Sequence, residues 1–104
     1  MLQTMQAAYK VARMGGCYLP ALKMFYQATL GAARSLQLEG VLGNFAIGNE
    51  ADFIVLDPHA TPLLERRTQQ CNNMEEFLFV LAILGDDRTI YATYSGGACQ
   101  HQRI

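Results

Sequence analysis

Apolar residues recur at helical spacing over residues 1–14. Leu2, Met5, Tyr9 and Ala12 fall three and four apart, with Ala8 beside them. Gln3, Gln6, Lys10 and Arg13 take the other side, and Gly15-Gly16 supplies a stop, because glycine accepts the left-handed cap. A second helix is expected from Leu19 to Leu36, with Pro20 in its first turn, where the missing N–H is tolerated. Leu22, Phe25, Thr29, Ala32, Ala33 and Leu36 form one stripe of it, while Met24, Tyr26, Ala28 and Leu30 cover much of the remainder. Only Lys23, Gln27 and Arg34 are clearly wet, and a helix apolar nearly all round calls for burial on several sides.

Glycine then punctuates the chain at Gly40, Gly43 and Gly48, which predicts turns and a short connecting strand. Asp52-Phe53-Ile54-Val55-Leu56-Asp57 reads as a buried strand, and Pro58 and Pro62 bracket a loop. The apolar run from Phe77 to Leu84 fits a strand or a helix. Asn73 as a cap, Glu76 three residues on and Glu75 in the first turn favour a helix over 73–84, with Gly85 as its stop. Residues 89–95 alternate, Ile90, Ala92 and Tyr94 against Tyr91 and Thr93, as a strand does. Gly96-Gly97 is a two-residue hairpin signal, and 98–102 is the expected partner strand. No internal repeat or low-complexity tract interrupts this pattern.

Composition narrows the class. The 104 residues suffice for one small unit with a modest core. Charged residues make up 16% and the net charge is −1, so no basic surface is available to neutralise phosphates; nucleic acid is not an expected partner. No Lys/Arg run suggests a membrane surface, and the longest apolar run is too short to span a bilayer. Met1 to Gln6 has neither the charged lead nor the apolar stretch of a secretory leader. Cys17, Cys71 and Cys99 are odd in number and widely spaced, which fits free thiols in a reducing cytoplasm; a cytoplasmic location is expected.

Catalytic constellations are sparse. A hydrolytic metal site needs several converging His, Asp, Glu or Cys ligands. His59 and His101 form no HxH, HxxxH or HExxH pair, and the His-x-Glu with a Cys pair of one class of zinc deaminase is absent; both histidines read as surface or structural. Ser35 and Ser95 lack a nucleophile-elbow context, and the glycines form no phosphate-cradling loop. Asp86-Asp87 could suggest acid–base work, but Gly85-Asp86-Asp87-Arg88 reads more simply as polar turn chemistry between a helix and a strand. The residues thus describe an α+β piece with no catalytic, metal-binding or substrate-binding residue assigned.

Resemblance carries the reading further. Thr29-x-x-Ala32-Ala33-x-x-Leu36-x-Leu38, then Gly40, Gly43-Asn44-Phe45 and Gly48-Asn49-Glu50-Ala51-Asp52-Phe53-Ile54-Val55-Leu56-Asp57, resembles the C-terminal hallmark of the amidohydrolase superfamily. The Ala51-Asp52 pair ahead of an apolar strand is its most telling part. Residues Met1 to Tyr9 look like the helix after the last barrel strand of guanine deaminases, and Leu84-Gly85-Asp86-Asp87-Arg88-x-Ile90, leading to Tyr94 and a Gly-Gly turn, looks like that family's closing segment. Cys99-Gln100-His101-Gln102 departs from the pattern, being more polar than the expected return strand.

The resemblance implies the C-terminal end of a (β/α)8 barrel plus part of a flanking β-sandwich domain. Two or three helices with a small sheet are expected: residues 1–38 as helices against the barrel, 39–104 as the rest of the β-domain with one helix. It implies a hydrolase acting on C–N bonds, turning guanine and water into xanthine and ammonia with a bound zinc or iron. The family's metal-binding and catalytic motifs match no position here, so no such residue and no cofactor is carried over, guanine is a ligand of the longer enzyme only, and this chain alone is expected to be inactive. A different amidohydrolase parent, or a non-catalytic oligomerisation or binding module derived from one, are the alternatives. The apolar helices predict a homo-oligomer.

Overall fold

In the computed structural model, which describes residues 1–103, the first helical pattern becomes α1 (Leu2–Met14). It closes at Gly15-Gly16, where the N–H groups of Gly16 and Cys17 return to the carbonyls of Arg13 and Ala12 at 3.0 and 2.8 Å. The second pattern does not make one helix. It breaks at Thr29 into α2 (Ala21–Ala28) and α3 (Leu30–Ser35). Thr29 donates both its N–H and its hydroxyl to the Tyr26 carbonyl, at 3.1 and 3.4 Å, a local alternative to the helical bond four residues back. Gly31 follows, and a Cβ there would stand 3.0 Å from the same carbonyl. The apolar stripe runs on through Thr29, so periodicity alone could not show the break.

At the end of α3, Gln37 and Leu38 donate to the carbonyls of Arg34 and Ala33 at 3.0 and 2.8 Å, which puts Gln37 at φ 60° in the left-handed region. A side chain there is strained. Gln37→Gly should raise stability by about 0.5–1 kcal/mol, the left-handed penalty less the extra entropy glycine loses on folding. A urea midpoint that fails to rise would contradict the cap.

The glycine-rich stretch contains turns and no strand among the described residues, contrary to the expected connecting strand. Asn44 Oδ1 takes the N–H of Ala46 at 3.1 Å and the amide of Asn49 at 2.6 Å, and with the Glu50 N–H on the Val41 carbonyl at 2.7 Å these bonds hold the segment in place of a strand partner. β1 (Phe53–Leu56) then pairs antiparallel with β2 (Ile90–Ser95), and β2 with β3 (Ala98–Gln102), in the order β1-β2-β3. The turn expected at Gly96-Gly97 joins Ser95 to Ala98, with φ 57° and 81° at the two glycines, as a primed turn requires. Gly97 N–H donates to the Ala51 carbonyl at 3.0 Å and Gly96 N–H to Asp52 Oδ1 at 2.8 Å. The Ala51-Asp52 pair therefore anchors the hairpin to the start of β1. At the other end of β1, Asp57 is paired with Arg103, whose guanidinium also lies over the Tyr91 ring. β3 is exposed along its whole length, which accounts for its polar sequence.

The loop expected between Pro58 and Pro62 is present, and Pro62 then opens a helix that the sequence reading did not expect. Thr61 Oγ1 accepts the Leu64 N–H at 3.2 Å, and α4 runs Pro62–Gln69. Thr-Pro at N-cap and first position is a start signal that the bracketing prolines obscured. The next helix follows its expected cap: in α5 (Met74–Leu84), Asn73 Oδ1 accepts the Glu76 N–H at 2.9 Å while Glu76 takes the Asn72 N–H at 2.8 Å.

The chain folds as two compact units. The first comprises Met1–Phe25 and Pro58–Thr89. In it α1 and α4 lie against α5, and Leu2, Met5, Ala21, Met24, Leu64, Val80, Leu81 and Ala82 are buried. The second comprises Tyr26–Asp57 and Ile90 onward, and holds α3 and the sheet. Its buried apolar side chains among the described residues are two alanines, Ala33 and Ala92, beside a stacked Phe53–Tyr94 pair at 4.6 Å. The α+β class holds, with five α-helices described rather than two or three.

Candidate functional site

A cleft of about 310 Å³ opens in the first unit. α1 brings Tyr9, the following turn Tyr18, α4 brings Arg67 and its C-cap Gln70, and α5 brings Glu75, Glu76 and Phe79, with Cys71 between the last two helices. The cap at Asn73 fixes the phase of α5, which places Glu75 and Phe79, four apart, on one face. Tyr9 meets Phe79 edge-to-face at 5.2 Å and Tyr18 at 6.5 Å, and the Arg13 guanidinium lies 5.8 Å from the Tyr18 ring centre.

Two carboxylates beside an aromatic wall would suit acid–base chemistry, but both are engaged by backbone. Glu75 accepts the N–H groups of Ala21 and Leu22 at 2.8 and 3.3 Å, filling the orphan donors at the start of α2, where negative charge is also favoured. Glu76 accepts from Asn72. Glu75 thus ties the start of α2 to α5, and Glu76 serves the cap of its own helix, so both carboxylates are structural. Sequence reading placed Glu75 only in its own helix. Its partner helix lies more than fifty residues away, and no local spacing announces it.

Of the other residues weighed from the sequence, Cys71 alone lines the cleft. His59 is exposed in the turn before α4, and His101 is exposed on β3 opposite Thr93. Ser35 donates to the Gly31 carbonyl at 3.0 Å within its own helix, and Ser95 ends β2 at the hairpin. Asp86 accepts the backbone N–H of Arg88 at 2.9 Å and pairs with its guanidinium at 2.6 Å, in a turn closed by Thr89. The hydrogen bond from the Arg88 side chain holds the Asp86 carboxyl below its ordinary range. Cys17 and Cys99 are exposed and Cys71 is half-buried, all three as free thiols. Among the described residues no three His, Cys, Asp or Glu side chains converge as a metal ion requires. No helix described is long and apolar enough to cross a membrane.

The backbone and sequence both have relatives. The signature described as Amidohydrolase family matches residues 1–99. Guanine deaminase of Escherichia coli (strain K12) is 48% identical over 103 residues, 99% of this chain and 24% of that protein. The solved structure of the E. coli enzyme superposes with a TM-score of 0.96 over the same shares of the two chains. Guanine deaminase from Bradyrhizobium japonicum, 30% identical, superposes with a TM-score of 0.72 over 84% of this chain and 20% of its own. Human guanine deaminase is 36% identical over 78 residues, 72% of this chain and 17% of the human protein. The chain thus spans about a quarter or less of the relatives it matches. Matched by the family signature over nearly all its residues, and by a guanine deaminase in both sequence and backbone, the chain belongs to the amidohydrolase family.

Proposed function

We propose that this chain is the C-terminal portion of a metal-dependent guanine deaminase, the hydrolase that converts guanine to xanthine and ammonia, and that it is not catalytically competent alone. One observation carries the reading: 48% identity over 99% of the chain to a guanine deaminase of which it spans 24%. The zinc or iron of the whole enzyme would supply an activated water when bound. The described residues of this chain do not fit such an ion, since no three ligands converge, and no step through it is assigned to them. What they supply is scaffold: the Glu75 cap joins α2 to α5, and Asp52 fixes the hairpin.

The purified chain, incubated with guanine and with zinc or iron, should release no ammonia above the uncatalysed rate. Sustained, guanine-dependent release at enzyme-like rates would overturn the assignment. Self-association is part of the same proposal. Leu22 on α2 and Tyr18 just before it are both more than half exposed, and each large apolar side chain left in water forgoes roughly 1.5–3 kcal/mol of burial. Light scattering should find a dimer or larger species that Leu22→Glu disperses; a monomer at all concentrations would contradict it.

A further inference from the structure

The cleft of the first unit is lined from within that unit alone, and its side chains offer more binding capacity than the fold uses. At about 310 Å³ it lies at the lower end of the range for small-molecule sites, with room for a ligand of one or two rings. Part of its lining is aromatic. Tyr9 meets both Phe79 and Tyr18 edge-to-face, so the three rings hold one another in fixed orientations. Such a wall favours a flat aromatic guest, which can add a further ring to the same kind of packing.

The polar lining decides the charge of that guest. Three of the four carboxylate oxygens of Glu75 and Glu76 already accept backbone N–H groups. Both carboxylates also lie at helix starts, those of α2 and α5, whose positive ends offset their charge. Arg67 and Gln70 are in the opposite condition. Among the described residues the Arg67 guanidinium has no carboxylate partner, and neither it nor the Gln70 amide makes a side-chain hydrogen bond. The capacity left open is therefore rich in donors, led by the planar five-donor fork of Arg67. Arg13, 5.8 Å from the Tyr18 ring centre, adds positive charge at that end. A guanidinium fork matches a carboxylate, whereas a cation would meet Arg67 and find most of the acidic oxygens engaged.

We infer that this cleft, independently of the proposed function, is a binding site for a small aromatic carboxylate, its ring against Tyr9 and Phe79 and its carboxylate on Arg67. Cys71, half-buried in the same cleft, is a built-in reporter of occupancy, and Cys99, exposed on β3 in the second unit, is its control.

The test alkylates the full chain with iodoacetamide at increasing benzoate and reads each cysteine by mass spectrometry. Benzoate should bind with a dissociation constant on the order of 1 mM, as so small a ligand does. At saturation it should slow the reaction of Cys71 about fivefold, because access governs the rate, and leave Cys99 unchanged. Benzamide, the same ring without the charge, should bind roughly tenfold more weakly. Arg67→Met should remove that difference, and because Arg67 is exposed the melting midpoint should stay at that of the parent. Arg67→Lys, which keeps the charge and loses the fork, should fall between the two. Cyclohexanecarboxylate, with the charge and no aromatic ring, should protect Cys71 less than benzoate does. No protection by benzoate, equal protection by benzoate and benzamide, or equal slowing at Cys71 and Cys99 overturns the site. So does an Arg67→Met chain that still prefers benzoate. None of these readings depends on guanine turnover, so the site and the functional proposal stand or fall separately.

Discussion

Gly85→Ala should destabilise the chain by about 3 kcal/mol, from overpacking and a lost hydrogen bond. Conformational freedom is not the reason, since the backbone at Gly85 is at φ −74° and ψ 150°, open to any residue. The reason is contact. A Cβ there would stand 2.2 Å from the Leu81 carbonyl oxygen and 2.9 Å from Leu2 Cδ1. The leucine could turn aside; the carbonyl cannot, because Gly85 N–H already donates to it at 2.9 Å and closes α5. Moving Gly85 away would also pull its own carbonyl from the Gln6 amide at 3.1 Å, the bond that ties α1 to the end of α5. The urea midpoint should fall with little change in slope. A midpoint within error of the parent would show that α1 and α5 do not meet in this way.

The second large effect belongs to Leu64. It is fully buried, whereas its neighbour Leu63 is 58% exposed. Leu64→Ala leaves a cavity in the first unit and should cost about 3 kcal/mol, within the range for buried leucines. Leu63→Ala should stay within about 0.5 kcal/mol, as surface changes do. The contrast between adjacent, chemically identical residues tests α4 directly, because a loop over 58–62 followed by irregular chain gives no reason to separate them. Equal losses from the two substitutions would contradict the helix.

These two residues also show what sequence alone could convey. Gly85 was legible as the stop of a helix, because the apolar run ends there and turn residues follow. Its closeness to Leu81 and Leu2 was not, because that is a property of two packed helices. The cap at Asn73, the stop at Gly15-Gly16 and the hairpin at Gly96-Gly97 were legible because each is decided within a few residues. Thr29 and Pro62 misled for the same local reason in reverse: an unbroken stripe hid the break at one, and a proline pair hid the start signal at the other. At the cleft, Glu75 and Phe79 were visible as helix residues, but the cap on α2 arises only once distant segments meet. The resemblance was legible from Ala51-Asp52 and the segments around it, and the anchoring of the hairpin by that pair supplies a physical reason for it.

The proposal that this chain is scaffold of a guanine deaminase, and needs the rest of that polypeptide to act, can be tested directly. The most direct test follows conversion of guanine to xanthine by the free chain and by a chimera of E. coli guanine deaminase whose matching segment is replaced by this chain, side by side and with the same metal. Steady turnover by the chimera and none by the free chain are expected. Turnover by the free chain, or a folded chimera that leaves guanine untouched, would contradict it.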